Sequence, residues 1–259
     1  MTAASFDEIE AIIIAASQTA TFTGAQLTGE AIALTGQSIS TSESVIVNVS
    51  QGATFVSGLT SGSGIDSLSY VGNIGAETIT GSALAETITG GEGNDLLTGG
   101  AGIDTYVFSD TTGTGNGIDS IVLSSLTANA AEDIFNFSAY TFVGTTVSSS
   151  KVELKKIFAD ADVTAAVTDD ATGQNILFLT GDYFASSTEL ASALTLFADI
   201  DVGNVLILYA GSSTDSTRIA LCSINEAGDV VTATDMAVLV GLTISNASTA
   251  LSESNFILG

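Results

Sequence analysis

The sequence predicts a mainly β protein: a parallel β-roll, or β-solenoid, followed by a β-rich C-terminal domain with one or two short helices. Three observations carry that prediction. Glycines and one acidic residue recur at nine-residue spacing between Ser61 and Val107. Short Val, Ile and Leu runs are punctuated by Gly, Ser and Thr along the chain. No proline occurs among the 259 residues, so no strand loses a ladder donor to one.

The clearest units are Gly90–Thr98 (GGEGNDLLT) and Gly99–Val107 (GGAGIDTYV). Glycines at positions one, two and four (Gly90, Gly91, Gly93; Gly99, Gly100, Gly102) let the backbone turn tightly and aim carbonyl oxygens inward. Asp95 and Asp104 at position six add a carboxylate, giving the all-oxygen shell that Ca²⁺ prefers. The apolar residue at position eight starts a very short strand facing the interior. Two nonapeptides make one turn of a roll, so each loop stacks on the loop two units away. These units resemble the RTX repeats of secreted bacterial proteins, S-layer and other extracellular surface proteins among them. The resemblance implies a β-roll, Ca²⁺ as the ion and an export route; it implies no reaction.

Neighbouring units keep the frame with fewer ligands. Gly72–Thr80 (GNIGAETIT) and Gly81–Thr89 (GSALAETIT) carry Glu77 and Glu86 at position six, with Ile79 and Ile88 at position eight. Ser61–Ser69 (SGSGIDSLS) supplies Asp66 and Leu68, but Tyr70 and Val71 break the register. After a six-residue gap, Thr114–Val122 (TGNGIDSIV) places Asp119 at position six. Stacking every second loop yields two Ca²⁺ candidates, one using Glu77 and Asp95, the other Glu86 and Asp104. Leu84 replaces the position-four glycine and makes the second the weaker on this reading. A third site below the 61–66 loop requires the register break to be absorbed.

Outside the repeats the chain divides into an N-terminal helix plus β-rich or solenoid lead-in (1–60), the roll and its cap (61–140), and the C-terminal domain (150–259). Phe6, Ile9 and Ile13 at near-helical spacing predict a helix within 1–17. Apolar segments at 31–34 and 45–49 suit either solenoid coils or a small β-sandwich. Asp119–Leu123 and Glu132–Ser138 resemble the strands that close RTX rolls. Further on, Gln174–Leu179 and Asn204–Tyr209 read as strands buried on both faces. Ser187 is expected to cap a helix bearing Leu190, Leu194 and Phe197. Asn225–Asp229 reads as a hairpin turn, Asp235–Gly241 as a second short helix, and Arg218–Ile224 as a strand burying Cys222.

Composition narrows the function. Asp and Glu total 29 against four basic residues, a net charge of −25, so nucleic acid and anionic membranes are poor partners. With 45% hydrophobic residues the chain is too apolar for disorder. A single cysteine excludes an intramolecular disulfide. The apolar run Ala11–Ala16 is too short to span a bilayer, and acidic residues precede it where a secretory signal needs positive charge. The RTX resemblance implies instead export by a type I (ABC-transporter) channel through an uncleaved C-terminal signal. Ser252–Gly259, an apolar cluster after a polar, acidic stretch, is compatible with that.

Catalytic chemistry is thinly represented. Absence of histidine excludes zinc-protease motifs and Ser-His-Asp or Cys-His pairs. There is no Gly-x-Ser-x-Gly elbow and no phosphate-binding loop with its lysine. Aromatic content of 7% without tryptophan poorly furnishes a sugar cleft. The expected function is therefore that of a secreted structural protein, not an enzyme, that folds on Ca²⁺ outside the cell and assembles with copies of itself into a layer, sheath or filament. A monomeric Ca²⁺-dependent adhesin or binding module is the alternative, and a small carbohydrate-active enzyme a more distant one.

Overall fold

The computed structural model describes residues 9–37, 42–60, 64–109, 115–123, 133–140, 142, 154–157, 176–193, 203–225 and 230–258. Ahead of the repeats lie β1 (Ala11–Ile14), β2 (Thr19–Thr23), the one-turn helix α1 (Gly24–Leu27), β3 (Ala33–Gly36), β4 (Ser44–Asn48) and β5 (Thr54–Val56). The repeats form β6 (Ser67–Val71), β7 (Thr78–Thr80), β8 (Thr87–Thr89), β9 (Leu96–Thr98) and β10 (Thr105–Val107), continued by β11 (Asp119–Val122) and β12 (Ile134–Phe137). The C-terminal part adds β13 (Leu154–Ile157), β14 (Ile176–Tyr183), α2 (Ser187–Ala193), β15 (Gly203–Ala210), β16 (Ser216–Ile224), β17 (Val230–Thr243), α3 (Ile244–Ala250) and β18 (Phe256–Leu258).

Successive repeat strands alternate between two sheets, as two nonapeptides per turn require. The seven-stranded sheet runs β18-β12-β10-β8-β6-β4-β2, parallel throughout. The nine-stranded sheet runs β13-β14-β15-β16-β17-β11-β9-β7-β5. It is antiparallel only on the two sides of β16, where a hairpin joins β16 to β17. Each three-residue strand of the repeats points its middle residue inward: Ile79, Ile88, Leu97 and Tyr106 are all buried. Threonines flank them on the outer face at Thr78, Thr80, Thr87 and Thr89. This is the period-two alternation of a sheet with one face in the core.

The lead-in is solenoid, not sandwich. β2 and β4 extend the seven-stranded sheet, and β5 begins the other. The helix expected within 1–17 is corrected where it is described: Ala11–Ile14 is a strand paired in parallel with β3, and Ile13 is exposed. Three consecutive β-branched isoleucines favour the extended backbone there. Phe6 lies outside the described residues.

The expected cap strands prolong the stack instead of ending it. β11 pairs with β17 on its far side, and β12 with β18. Their inward residues join one cluster that runs from Val45 through Ile121 and Phe135 to Phe178, Leu208, Leu239 and Leu258. An aromatic column lies in that register, with Tyr106–Phe135 ring centroids 5.9 Å apart and Phe135–Phe256 5.6 Å. β14 and β15 are buried on both faces, as expected. Their other side packs Leu177, Val205, Ile207 and Tyr209 with Cys222 of β16 and Leu190 of α2. The helix α2 is capped one residue earlier than the sequence suggests, by Ser186 Oγ accepting the Glu189 N–H at 3.2 Å; Leu194 and Phe197 lie outside the described residues. Asp235–Gly241 is strand, not helix, because β17 is paired on both sides, with β16 and β11.

Candidate metal centre

Each acidic position-six residue sits immediately before a strand or, at Asp119, opens it, at the turn edge of the roll. Parallel stacking places such residues directly above one another, two repeat units along the chain and one turn of the roll apart. Along the nine-stranded sheet, the Gly52 N–H donates to Glu77 Oε1 at 2.5 Å, the Glu77 N–H to Asp95 Oδ1 at 2.7 Å, and the Asp95 N–H to Asp119 Oδ1 at 3.0 Å. Along the seven-stranded sheet, the Glu86 N–H donates to Asp104 Oδ1 at 2.9 Å and the Asp104 N–H to Asp133 Oδ1 at 3.0 Å. Asn255 Nδ2 then donates to the Asp133 carbonyl at 2.8 Å. Two carboxylate ladders thus run up the roll, one per edge, each rung held by a backbone amide.

The second oxygens carry the functional argument. Asp95 Oδ2, Asp104 Oδ2 and Glu86 Oε2 are buried with no hydrogen-bond partner. Leaving a buried acceptor unsatisfied costs about 1–3 kcal/mol, and more for a charged one. Glycines keep the space beside these oxygens open. A methyl group on Gly90 would overlap Asp95 Oδ2, and one on Gly99 would overlap Asp104 Oδ2. On Gly81 it would overlap the Gly99 carbonyl oxygen and lie 3.0 Å from Glu86 Oε2. Gly91, Gly93, Gly100 and Gly102 have φ of +104°, +118°, +106° and +104°, and face the carbonyl oxygens of Asn73, Gly75, Ser82 and Leu84. Carbonyl and carboxylate oxygens therefore converge between stacked loops, with no nitrogen or sulfur side-chain donor among them.

That donor set fits a hard divalent cation such as Ca²⁺. Among the described residues no three acidic or thiol side chains cluster around one point, so backbone carbonyls must complete any shell. When bound, Ca²⁺ would supply the positive charge that these buried carboxylates lack. Without it they hold protons tightly. Burial pushes Glu86 up to about 8, helped by Asp104 beside it, and raises Asp104 as well. Burial likewise lifts Asp95 to about 6 and Asp119 to about 8, with the charges of Glu77 and Asp95 contributing.

The two sequence-predicted pairs differ in an unexpected direction. Glu77 engages both oxygens with backbone, accepting from Gly52 N and, at 3.1 Å, Asn73 N. Its pair therefore offers only Asp95 Oδ2. The Glu86–Asp104 pair offers two open oxygens despite Leu84. That leucine turns its side chain to the core, its N–H donates to Ser82 Oγ at 3.1 Å, and its carbonyl still faces Gly102.

Asp119 joins the first ladder above Asp95, but Asp66 does not join the second below Glu86. The register break is not absorbed: Ser69, not Ser67, pairs with Thr87. The shift leaves a cavity of about 180 Å³ walled by Leu34, Ile65, Leu68 and Leu84. Asp66 pairs instead with Glu43, its carboxylate accepting the Glu43 N–H and its own N–H reaching the Glu43 carbonyl, both at 2.9 Å. Nine-residue spacing misses Asp133, a member of the second ladder, and Glu43, the partner of Asp66. The signal that could have found them is an acidic residue directly before an alternating strand, at Glu43–Ser44 and Asp133–Ile134.

Residues 71–106 match the family described as RTX calcium-binding nonapeptide repeat (4 copies). This stretch is an RTX repeat. The match takes in Glu77, Glu86, Asp95 and Asp104 and excludes Asp66, Asp119 and Asp133. No curated protein and no solved structure matches the chain. RTX repeats bind calcium and occur typically in secreted proteins. Among the described residues no helix is long and apolar enough to cross a membrane.

Proposed function

We propose that this is a secreted structural protein whose RTX roll folds on Ca²⁺ outside the cell and which then assembles with copies of itself into a layer, sheath or filament. The observation that carries the folding half is the set of buried, unbonded carboxylate oxygens at Glu86, Asp95 and Asp104. In a Ca²⁺-poor cytosol their charge opposes closure of the loops, and the chain stays exportable through a type I ABC transporter. Outside, ion-binding free energy becomes folding free energy.

Assembly is supported by the sheet edges. The seven-stranded parallel sheet ends on β2 and β18, which run in the same direction. A second copy can therefore add its β2 to β18 in the sense that every other pair already uses. Such a head-to-tail contact does not close on itself and leads to a filament. The role is structural and not enzymatic.

The test is a Ca²⁺ titration of EDTA-stripped protein, followed by circular dichroism and light scattering together. A rise in β signal with ordered scattering supports the proposal. Folding without scattering replaces self-assembly with a monomeric binding module. No response to millimolar Ca²⁺ overturns both halves.

A further inference from the structure

The inward position of the repeat strands is filled by hydrocarbon at Ile79, Ile88, Leu97 and Ile121, but by tyrosine at Tyr70 and Tyr106. Both tyrosines occupy the same rung, since Tyr70 and Tyr106 each pair with Ile88 from opposite sides. Both are fully buried. A phenol hydroxyl in an apolar core is costly unless bonded, so its partners explain its presence better than volume does.

Those partners belong to one ion site. Tyr70 Oη lies 2.9 Å from Ser57 Oγ and donates to Glu86 Oε1 at 3.4 Å. Glu86 Oε1 also accepts from the Ser82 N–H at 3.2 Å and from Ser82 Oγ. With Oε1 held by these donors, Oε2 is the oxygen left open. On the facing loop, the Gly99 N–H donates to Tyr106 Oη at 2.9 Å. Gly99 in turn carries the carbonyl that borders Gly81 and flanks Asp104 Oδ2. One tyrosine therefore fixes the carboxylate of the 81–86 loop, and the other fixes the first glycine of the 99–104 loop.

We propose that Tyr70 and Tyr106 are positioning residues of the ion site between these two loops, acting through Glu86 and Gly99 and not as ligands. The inference rests on the calcium reading above. Partners of this kind set metal affinity by about 10- to 100-fold in other sites. For the 72–77 and 90–95 loops the corresponding inward positions, on either side of Ile79, are Phe55 and Leu97, which carry no hydroxyl, so only one of the two pairs is tuned in this way.

The experiment measures Ca²⁺ affinity by calorimetry on the EDTA-stripped full chain and on Tyr70→Phe, Tyr106→Phe and Ser82→Ala. Tyr209→Phe serves as the control, because it removes a buried hydroxyl bonded to Asp235 at 2.6 Å, away from the roll loops. Tyr70→Phe and Tyr106→Phe are expected to weaken one binding step by about tenfold. Ser82→Ala, which lies in a loop and leaves the core intact, is expected to weaken the same step. In a Glu86→Ala background Tyr70→Phe is expected to have no further effect, the signature of action through Glu86. Unchanged Ca²⁺ affinity in Tyr70→Phe and Tyr106→Phe, or an equal loss in Tyr209→Phe, overturns this proposal and leaves the calcium reading standing. Absence of Ca²⁺ binding by the unsubstituted chain overturns both.

Discussion

Asp104 accepts the Glu86 N–H through Oδ1 at 2.9 Å, while Oδ2 of the same carboxylate is buried with no hydrogen-bond partner. The first oxygen holds two coils together and the second is available to an ion. Asp104→Asn separates these roles, since the amide keeps an acceptor for Glu86 and removes the charge. The metal-free variant is expected to melt at a higher temperature than the parent at pH 8. Its Ca²⁺-dependent stabilisation is expected to shrink. Thermal melts in EDTA and in Ca²⁺ check both signs, and a variant that gains from Ca²⁺ as the parent does refutes the ligand role.

Glu77 and Glu86 occupy the same repeat position with different duties. Glu77 closes the first coil by accepting Gly52 N and Asn73 N, so Glu77→Ala strands two backbone donors. We expect a loss of about 1–3 kcal/mol that is similar with and without Ca²⁺. Glu86→Ala removes an open oxygen and should raise the Ca²⁺ concentration at half-saturation by about tenfold or more. Urea denaturation across a Ca²⁺ series distinguishes them. Equal Ca²⁺ dependence in the two variants would show that the ladders are equivalent.

Close stacking of loops makes some glycines irreplaceable. Gly93, at φ +118°, faces the Gly75 carbonyl so closely that a methyl group would overlap it. Gly29 has φ +75° but nothing within 4 Å of an added methyl. Gly29→Ala is therefore expected to cost about 1 kcal/mol, from backbone conformation alone. Gly93→Ala should cost more than about 3 kcal/mol or abolish Ca²⁺-dependent folding, because the loops must separate. Denaturation midpoints of the pair measure the difference, and similar midpoints would mean that the loops yield easily.

Much of this was legible because the repeat writes geometry into spacing. Asp95 and Asp104 follow Gly-Gly-x-Gly-x at fixed distance, and parallel stacking every second unit then dictates which loops meet. The pairings β7–β9 and β8–β10 followed from that count alone. Where the frame lapses, so did the reading. Asp133 holds a ladder place, and Glu43 pairs with Asp66, without a nonapeptide around either, because only the strand after each need be in register. Asp66 has the right motif but sits two residues out of step, since Tyr70 and Val71 lengthen β6. Asp235–Gly241 has no helical pattern strong enough to resist two flanking strands, and tertiary pairing decided it. Leu84 does not weaken its loop because position four acts through its carbonyl, which leucine supplies as glycine does.

The pH dependence follows from the buried carboxylates. Folding raises Asp95 from 3.8 to about 6, Asp119 from 3.8 to about 8 and Glu86 from 4.5 to about 8, burial being the main cause each time. Between the ordinary and the raised values, the folded metal-free chain binds more protons than the unfolded one. These groups therefore contribute stability that is fully present below about pH 4 and is lost as pH rises through about 6 to 8. The metal-free protein should accordingly melt at progressively lower temperature from pH 5 to pH 9. Ca²⁺ competes for the same oxygens, so its binding should release protons and tighten over that interval. With saturating Ca²⁺ the decline should flatten or reverse. Melting temperatures from pH 5 to pH 9, in EDTA and in Ca²⁺, provide the check. A metal-free protein that gains stability with rising pH would show that these carboxylates are solvated, and that no ion is needed to close the roll.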